Sequence, residues 1–126
     1  MTRALLLLTS LSGFLAVALG AFGAHALKLH LTSEELLWFE TASRYQFYHT
    51  LAALAVVLLM MKYGNRWLKF SCLAFLFGIF LFSGSLYVMA VTEWRFLGAI
   101  TPLGGLSFIA GWGMMAVGFF KQNNNA

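Results

Sequence analysis

Ala4-Leu5-Leu6-Leu7-Leu8-Thr9-Ser10-Leu11-Ser12-Gly13-Phe14-Leu15-Ala16-Val17-Ala18-Leu19-Gly20-Ala21-Phe22-Gly23-Ala24-His25-Ala26-Leu27 separates Arg3 from Lys28 without an Asp, Glu, Lys or Arg. A bilayer core of about 30 Å takes roughly 20 helical residues, so this run is long enough to cross. It is too long, and too weakly alternating, for a barrel strand, which leaves a helix as the structure that satisfies its backbone in lipid. Three more stretches read the same way, at about 42–61, 70–91 and 97–120. The expected fold is all-α: one transmembrane domain over 1–126, with a first span at about 4–27.

Composition demands the same class. Hydrophobic residues make up 61% of the 126 residues and charged residues 10%, against roughly 25% charged in soluble domains; mean hydropathy is +0.83. Such a chain cannot cover a water-facing surface. The net charge of +4 comes from Lys and Arg scattered singly between apolar runs, which excludes a nucleic-acid face. Cys72 is the one cysteine, so no internal disulfide forms and it reads as a small core residue. Met1-Thr2-Arg3, the apolar run and Ala24-His25-Ala26 mimic a signal peptide, but the run exceeds the usual about 7 to 15 residues. Its Gly13, Gly20 and Gly23 suit a retained, packed helix.

The connections set orientation. Arg3, Lys62, Arg66, Lys69 and Lys121 fall on one side, and Lys28, Arg44 and Arg95 on the other. The positive-inside rule then puts both termini in the cytoplasm. Thr32 and Ser33 before Glu34 and Glu35 resemble a helix start with first-turn acids, so the second helix is expected to begin ahead of the membrane. Thr101-Pro102 resembles an N-cap followed by Pro at the first helical position; a helix from Trp94 kinked at Pro102 is the alternative. The polar tail Gln122 to Ala126 is expected to fray.

Helices in lipid associate where small residues let backbones approach. Ser71, Gly78, Ser85 and Thr92 recur every seventh residue, as do Gly104, Gly111 and Gly118, and Gly13 and Gly20. On the second span Ala42, Gln46, His49, Ala53, Val56 and Met60 share a face. This period implies left-handed packing with small crossing angles, and short connections favour an up-down-up-down four-helix bundle. Gly13, Gly20, Gly78, Gly104, Gly111 and Gly118 are therefore candidate packing residues.

Taken in order, Gly20-Ala21-Phe22-Gly23-Ala24-His25-Ala26-Leu27, Ala42 with Tyr45-Gln46 and His49, Phe82-Ser83-Gly84-Ser85-Leu86-Tyr87, and Ile100-Thr101-Pro102-Leu103-Gly104-Gly105 with Gly111-Trp112 carry a resemblance. The chain resembles, over essentially its whole length, the YgdD/YwdK-like family of small bacterial inner-membrane proteins, a domain-of-unknown-function family with eukaryotic relatives. The resemblance implies a retained first helix and a multi-pass protein of the inner (plasma) membrane. It carries over no catalytic or binding residue.

Candidates for chemistry must therefore stand on their own. Polar groups within a span are costly, so each asks for a reason. His25, Gln46 and His49, joined by Ser83, Ser85 or Tyr87, form a candidate polar cluster near the outer ends, able to hold a proton, an ion or a small ligand. The plainer reading is histidines hydrogen-bonded to backbone or headgroups, since His25 lies roughly 140° around the helix from Gly20 at ~100° per residue. Two histidines without Cys or Asp nearby fall short of a metal or haem ligand set, so no metal or cofactor is expected. Gly98, Thr101, Gly104 and Gly105 read as an anion-binding helix start or, equally, as an ordinary cap. Glu40 and Arg44, at i and i+4, are expected to pair on an exposed face.

Nothing resembles a nucleophile with its base or a Walker loop. Three classes follow in order of support: a non-enzymatic membrane component binding lipid, a membrane protein partner or a second copy of itself; a small transporter or channel entered through the polar cluster; and an enzyme or redox carrier. Below His49 the second-helix face turns dry at Ala53, Val56 and Met60, which argues against a monomeric pore.

Overall fold

The computed structural model describes residues 1–124 and contains four long apolar helices: α1, Thr2–Leu27; α2, Ser33–Tyr63; α3, Arg66–Thr92; and α4, Thr101–Asn124. They run up-down-up-down and bring the described ends of the chain to one end of the bundle. α4 stays helical through Asn124, past the start of the tail expected to fray; Asn125 and Ala126 lie outside the described residues.

Helix ends follow local chemistry. α2 starts well before the expected span because Thr32 closes a capping box: its Oγ1 accepts from the Glu35 N–H at 3.2 Å and the Glu35 carboxylate accepts from the Thr32 N–H at 3.3 Å. This extension docks on the connection after α3, where Arg95 lies over the Trp38 ring at 5.2 Å and reaches Glu34 at 3.4 Å. α2 stops at Gly64, whose φ of 63° supplies the left-handed cap. Asn65 then does two jobs: its Oδ1 accepts from the Trp67 N–H, and its Nδ2 donates to the Gly118 carbonyl of α4 at 2.9 Å.

The start of α4 falls between the two readings of Thr101-Pro102. A 3₁₀ segment over Arg95–Ala99 feeds the helix, and the Ile100 carbonyl accepts the Leu103 N–H at 3.0 Å. Thr101 is the first helical residue, not the cap. Its hydroxyl bonds Ser85 Oγ at 2.6 Å and the Leu97 carbonyl at 3.3 Å. Pro102 falls in the first turn, where its missing N–H leaves no bond unmade.

α2 and α3 form the centre. α1 packs chiefly on α2 and α4 chiefly on α3, while α1 and α4 make no substantial contact with each other. Viewed down α2, the residues toward α1 (Ser43, Gln46, Thr50) and those toward α4 (Tyr45, His49) flank the strip against α3 (Ala42, Ala53, Val56). The section is a rhombus, not a square. Its middle, with Val56, Val57, Cys72 and Phe75, is fully buried, and Leu and Phe side chains cover the outside as lipid demands.

Close approach depends on glycine at two places above all. A Cβ at Gly104 would strike the Phe82 backbone, and one at Gly78 would meet the Phe108 ring at 2.5 Å. Gly111 lies under the Phe75 ring, Gly118 under Leu68 and Gly20 against Ser43. Gly13 differs, because an added Cβ there would make only ordinary contact with Thr50 Cγ2 at 3.5 Å. Hydroxyls stitch the same seams by donating to carbonyls of the neighbouring helix: Ser71 to Gly111 and Ser107 to Ala74, each at 2.7 Å. In lipid such bonds average about 0.6 kcal/mol.

Two π-helical turns interrupt this regularity, at Ala18–Gly23 in α1 and Ile79–Ser83 in α3. Both lie beside the same stretch of α2, because Gly20 meets Ser43 and Ser83 bonds the Ala42 carbonyl. Widened turns of this kind are frequent at functional sites, which directs attention to Glu40–His49.

Candidate functional site

The polar residues of α2 part to opposite flanks. Gln46 turns toward α1, where its Nε2 donates to the Ser12 carbonyl at 3.0 Å, and its Oε1 accepts the Tyr87 hydroxyl of α3 at 2.7 Å. Ser12 Oγ continues to Thr50 Oγ1 at 2.7 Å. Gln46 thus ties three helices together. Ser83 Oγ, on the same level, donates to the Ala42 carbonyl at 2.7 Å.

His49 turns the other way. Its Nδ1 lies 2.8 Å from the Tyr45 carbonyl, which can only accept, so Nδ1 carries the proton. Nε2 is then the acceptor, and the Trp112 indole N–H of α4 donates to it at 3.2 Å. Both nitrogens of the neutral ring are occupied, leaving neither lone pair nor N–H for a ligand in this arrangement. The ring stacks on Phe108 with centroids 3.6 Å apart and planes 10° from parallel. Trp112 also meets Phe75 edge-on at 5.1 Å.

The expected cluster is therefore corrected in composition. Gln46 and Tyr87 meet; His49 shares their level but not their network; Ser85 bonds the Phe82 carbonyl and Thr101 and belongs to the α3–α4 seam. His25 is exposed near the end of α1, and its side chain makes no hydrogen bond among the described residues. Sequence reading missed Ser12, Thr50 and Trp112. The indole of Trp112 was the available signal, since a tryptophan N–H within a span has no water to donate to and needs an acceptor in the protein.

Between α2 and α4 the surface opens into a cleft of about 700 Å³, walled by Tyr45, His49, Phe82, Phe108 and Trp112, with Gly105 at its edge. It extends from Pro102 to Trp112, about 15 Å along α4 at 1.5 Å per residue. That is half the hydrocarbon thickness, on the side away from the termini. The cleft opens sideways, into lipid. A second groove, between α1 and α2, lies beside the π turn of α1 and contains both Glu40 and Arg44.

Residues 19–105 match the family described as protein of unknown function (DUF423). Over 120 residues the chain is 43% identical to the UPF0382 inner membrane protein YgdD of Escherichia coli, covering 95% of this chain and 92% of that protein. It is 44% identical to a UPF0382 membrane protein of Haemophilus influenzae, with 94% and 95% covered, and 40% identical to the UPF0382 membrane protein YwdK of Bacillus subtilis, with 94% and 98% covered. No solved structure matches the chain. With likeness along nearly its full length and four helices able to cross a bilayer, the chain belongs to the DUF423 family and is a multi-pass protein of the inner membrane.

Proposed function

We propose that this protein is a non-enzymatic membrane component that binds lipid, holding one hydrocarbon chain in the α2–α4 cleft. The observation that carries this reading is the shape of that cleft: aromatic-walled, open laterally, and about as long as one leaflet is deep. Its volume lies within the range of ordinary ligand sites. Its one polar pair, His49 and Trp112, is already mutually satisfied, so the occupant needs no polar group at that depth.

The transporter reading draws on the partly buried Gln46–Tyr87–Ser12–Thr50 network. Each of these side chains is bonded to another part of the protein, and the packed middle of the bundle beneath them is apolar. Lipid binding asks for no path through that packing.

Gly105→Leu tests the proposal. An added Cβ there lies 4.0 Å from Phe82, so the variant fits while its side chain fills the cleft. Native mass spectrometry of the full chain, released from detergent, should find at least one fewer retained lipid than in the parent. Equal retention in parent and variant, at equal stability, would remove the cleft from consideration.

A further inference from the structure

Glu40 and Arg44 stand one turn apart on the exposed side of α2, in the favourable order for an ion pair, yet they do not pair. The one salt bridge among the described residues joins Arg95 to Glu34, and neither Glu40 nor Arg44 makes a side-chain hydrogen bond there. This corrects the expected i, i+4 pair. Both instead line a groove of about 400 Å³ between α2 and α1. The opposite wall is the π turn of α1 and the residue after it, where Gly20, Ala21 and Ala24 leave room that larger side chains would fill.

Depth makes the two charges informative. Ser43, their neighbour, meets Gly20, about 12 Å below Lys28 at 1.5 Å per residue. Since α1 has 26 residues, it is about 39 Å long and overhangs a hydrocarbon core of about 30 Å by a few ångströms at each end. The groove thus lies about 7 to 8 Å inside the hydrocarbon edge of the leaflet opposite the termini. Long charged side chains at that depth reach up to the polar layer.

We propose that this groove binds the headgroup of a phospholipid carrying both a phosphate and a primary ammonium, with the phosphate on Arg44 and the ammonium on Glu40. The guanidinium suits a phosphate because its N–H groups form a fork matching two oxygens. A simple anionic headgroup would satisfy Arg44 but face the Glu40 carboxylate, and a lone cation would face Arg44. A zwitterion of this kind answers both. A trimethylated amine has no N–H to donate to Glu40, so the primary amine is preferred. Apolar Val17 and Phe47, also in the groove, continue the surface toward the acyl chains. The site does not rest on the α2–α4 cleft, and either can be empty while the other is filled.

The test is lipid competition on the full-length protein. Detergent-solubilised protein is equilibrated with equal amounts of phosphatidylethanolamine, phosphatidylcholine and phosphatidylglycerol of identical chains, and bound lipid is counted by native mass spectrometry. The parent should prefer phosphatidylethanolamine to either competitor by about fivefold, the scale of one exposed charge-assisted bond. Glu40→Gln should abolish the preference over phosphatidylcholine and raise phosphatidylglycerol binding. Arg44→Gln should lower all three, and Arg44→Lys should restore part of the loss. Ala21→Phe, which blocks the groove and leaves both charges in place, should erase the preference at unchanged thermal stability. Gly105→Leu should leave it intact, separating failure here from failure of the cleft. No headgroup preference in the parent, or a preference that survives Ala21→Phe, would overturn the proposal.

Discussion

The Trp112 indole N–H donates to His49 Nε2 at 3.2 Å, joining α4 to α2, two helices whose backbones stay apart and which meet through aromatic side chains. That bond turns the His49 ring so that one face lies on Phe108 and the other elements of the cleft wall assemble around it. The bond is modest in energy and large in placement.

Trp112→Phe keeps an aromatic ring against Phe75 and removes the N–H. The expected loss is about 0.6 kcal/mol and no more than about 1.7, the range of such bonds in lipid. His49→Gln should cost slightly more, because stacking on Phe108 adds about 0.5 to 1.5 kcal/mol. Unfolding titrations of both single variants and the double variant should return a coupling energy of the bond's size. Strict additivity would mean that the two side chains do not interact.

Gly104→Ala and Gly13→Ala should separate cleanly. The first drives a methyl group into the Phe82 backbone, which cannot turn aside, and should cost about 1 to 3 kcal/mol. The second has room, and should be neutral or stabilising by up to about 1 kcal/mol from helix propensity. Equal effects in a thermal unfolding assay would contradict the packing described for α3 and α4.

Thr9 is buried, and its Oγ1 has no hydrogen-bond partner among the described residues. Thr9→Val removes that hydroxyl at almost constant shape and should stabilise the protein by roughly 1 kcal/mol, less than in water because the unfolded chain in lipid also lacks good partners. A destabilised variant would show that the hydroxyl has a partner after all.

A reporter fused after Lys121 should read cytoplasmic, and one inserted between Leu29 and Thr32 should read the opposite side. The Lys and Arg distribution drives this expectation. Reversal at both positions would mean the protein is inserted upside down relative to the charge rule.

Most of the fold was legible because lipid leaves few choices. Four charge-poor runs sufficed for the four helices, and the seven-residue spacing of Gly104, Gly111 and Gly118 marked the face of α4 that meets α3. Thr32 and Glu35 marked the start of α2. The site was less legible. Counting about 100° per residue assumes an unbroken α-helix, and the π turns over Ala18–Gly23 and Ile79–Ser83 break that count without any clear residue signature. One helical face also proved too coarse a unit: Gln46 and His49 share it, yet neighbouring helices on either flank draw them apart. Glu40 and Arg44 showed the reverse error, since ideal spacing did not bring their side chains together.

The rhombic arrangement also bears on biosynthesis. Each large interface joins consecutive helices, α1 with α2, α2 with α3 and α3 with α4. As the chain leaves the ribosome, every new helix finds its main partner already in the bilayer, and none has to wait for a distant segment. The Gln46–Tyr87 bond can close as soon as α3 arrives, before α4 has been made. A nascent chain arrested after Thr92 should therefore already hold α1, α2 and α3 in nearly their final places, with the last helix laid on an existing surface and the cleft appearing only at that final step.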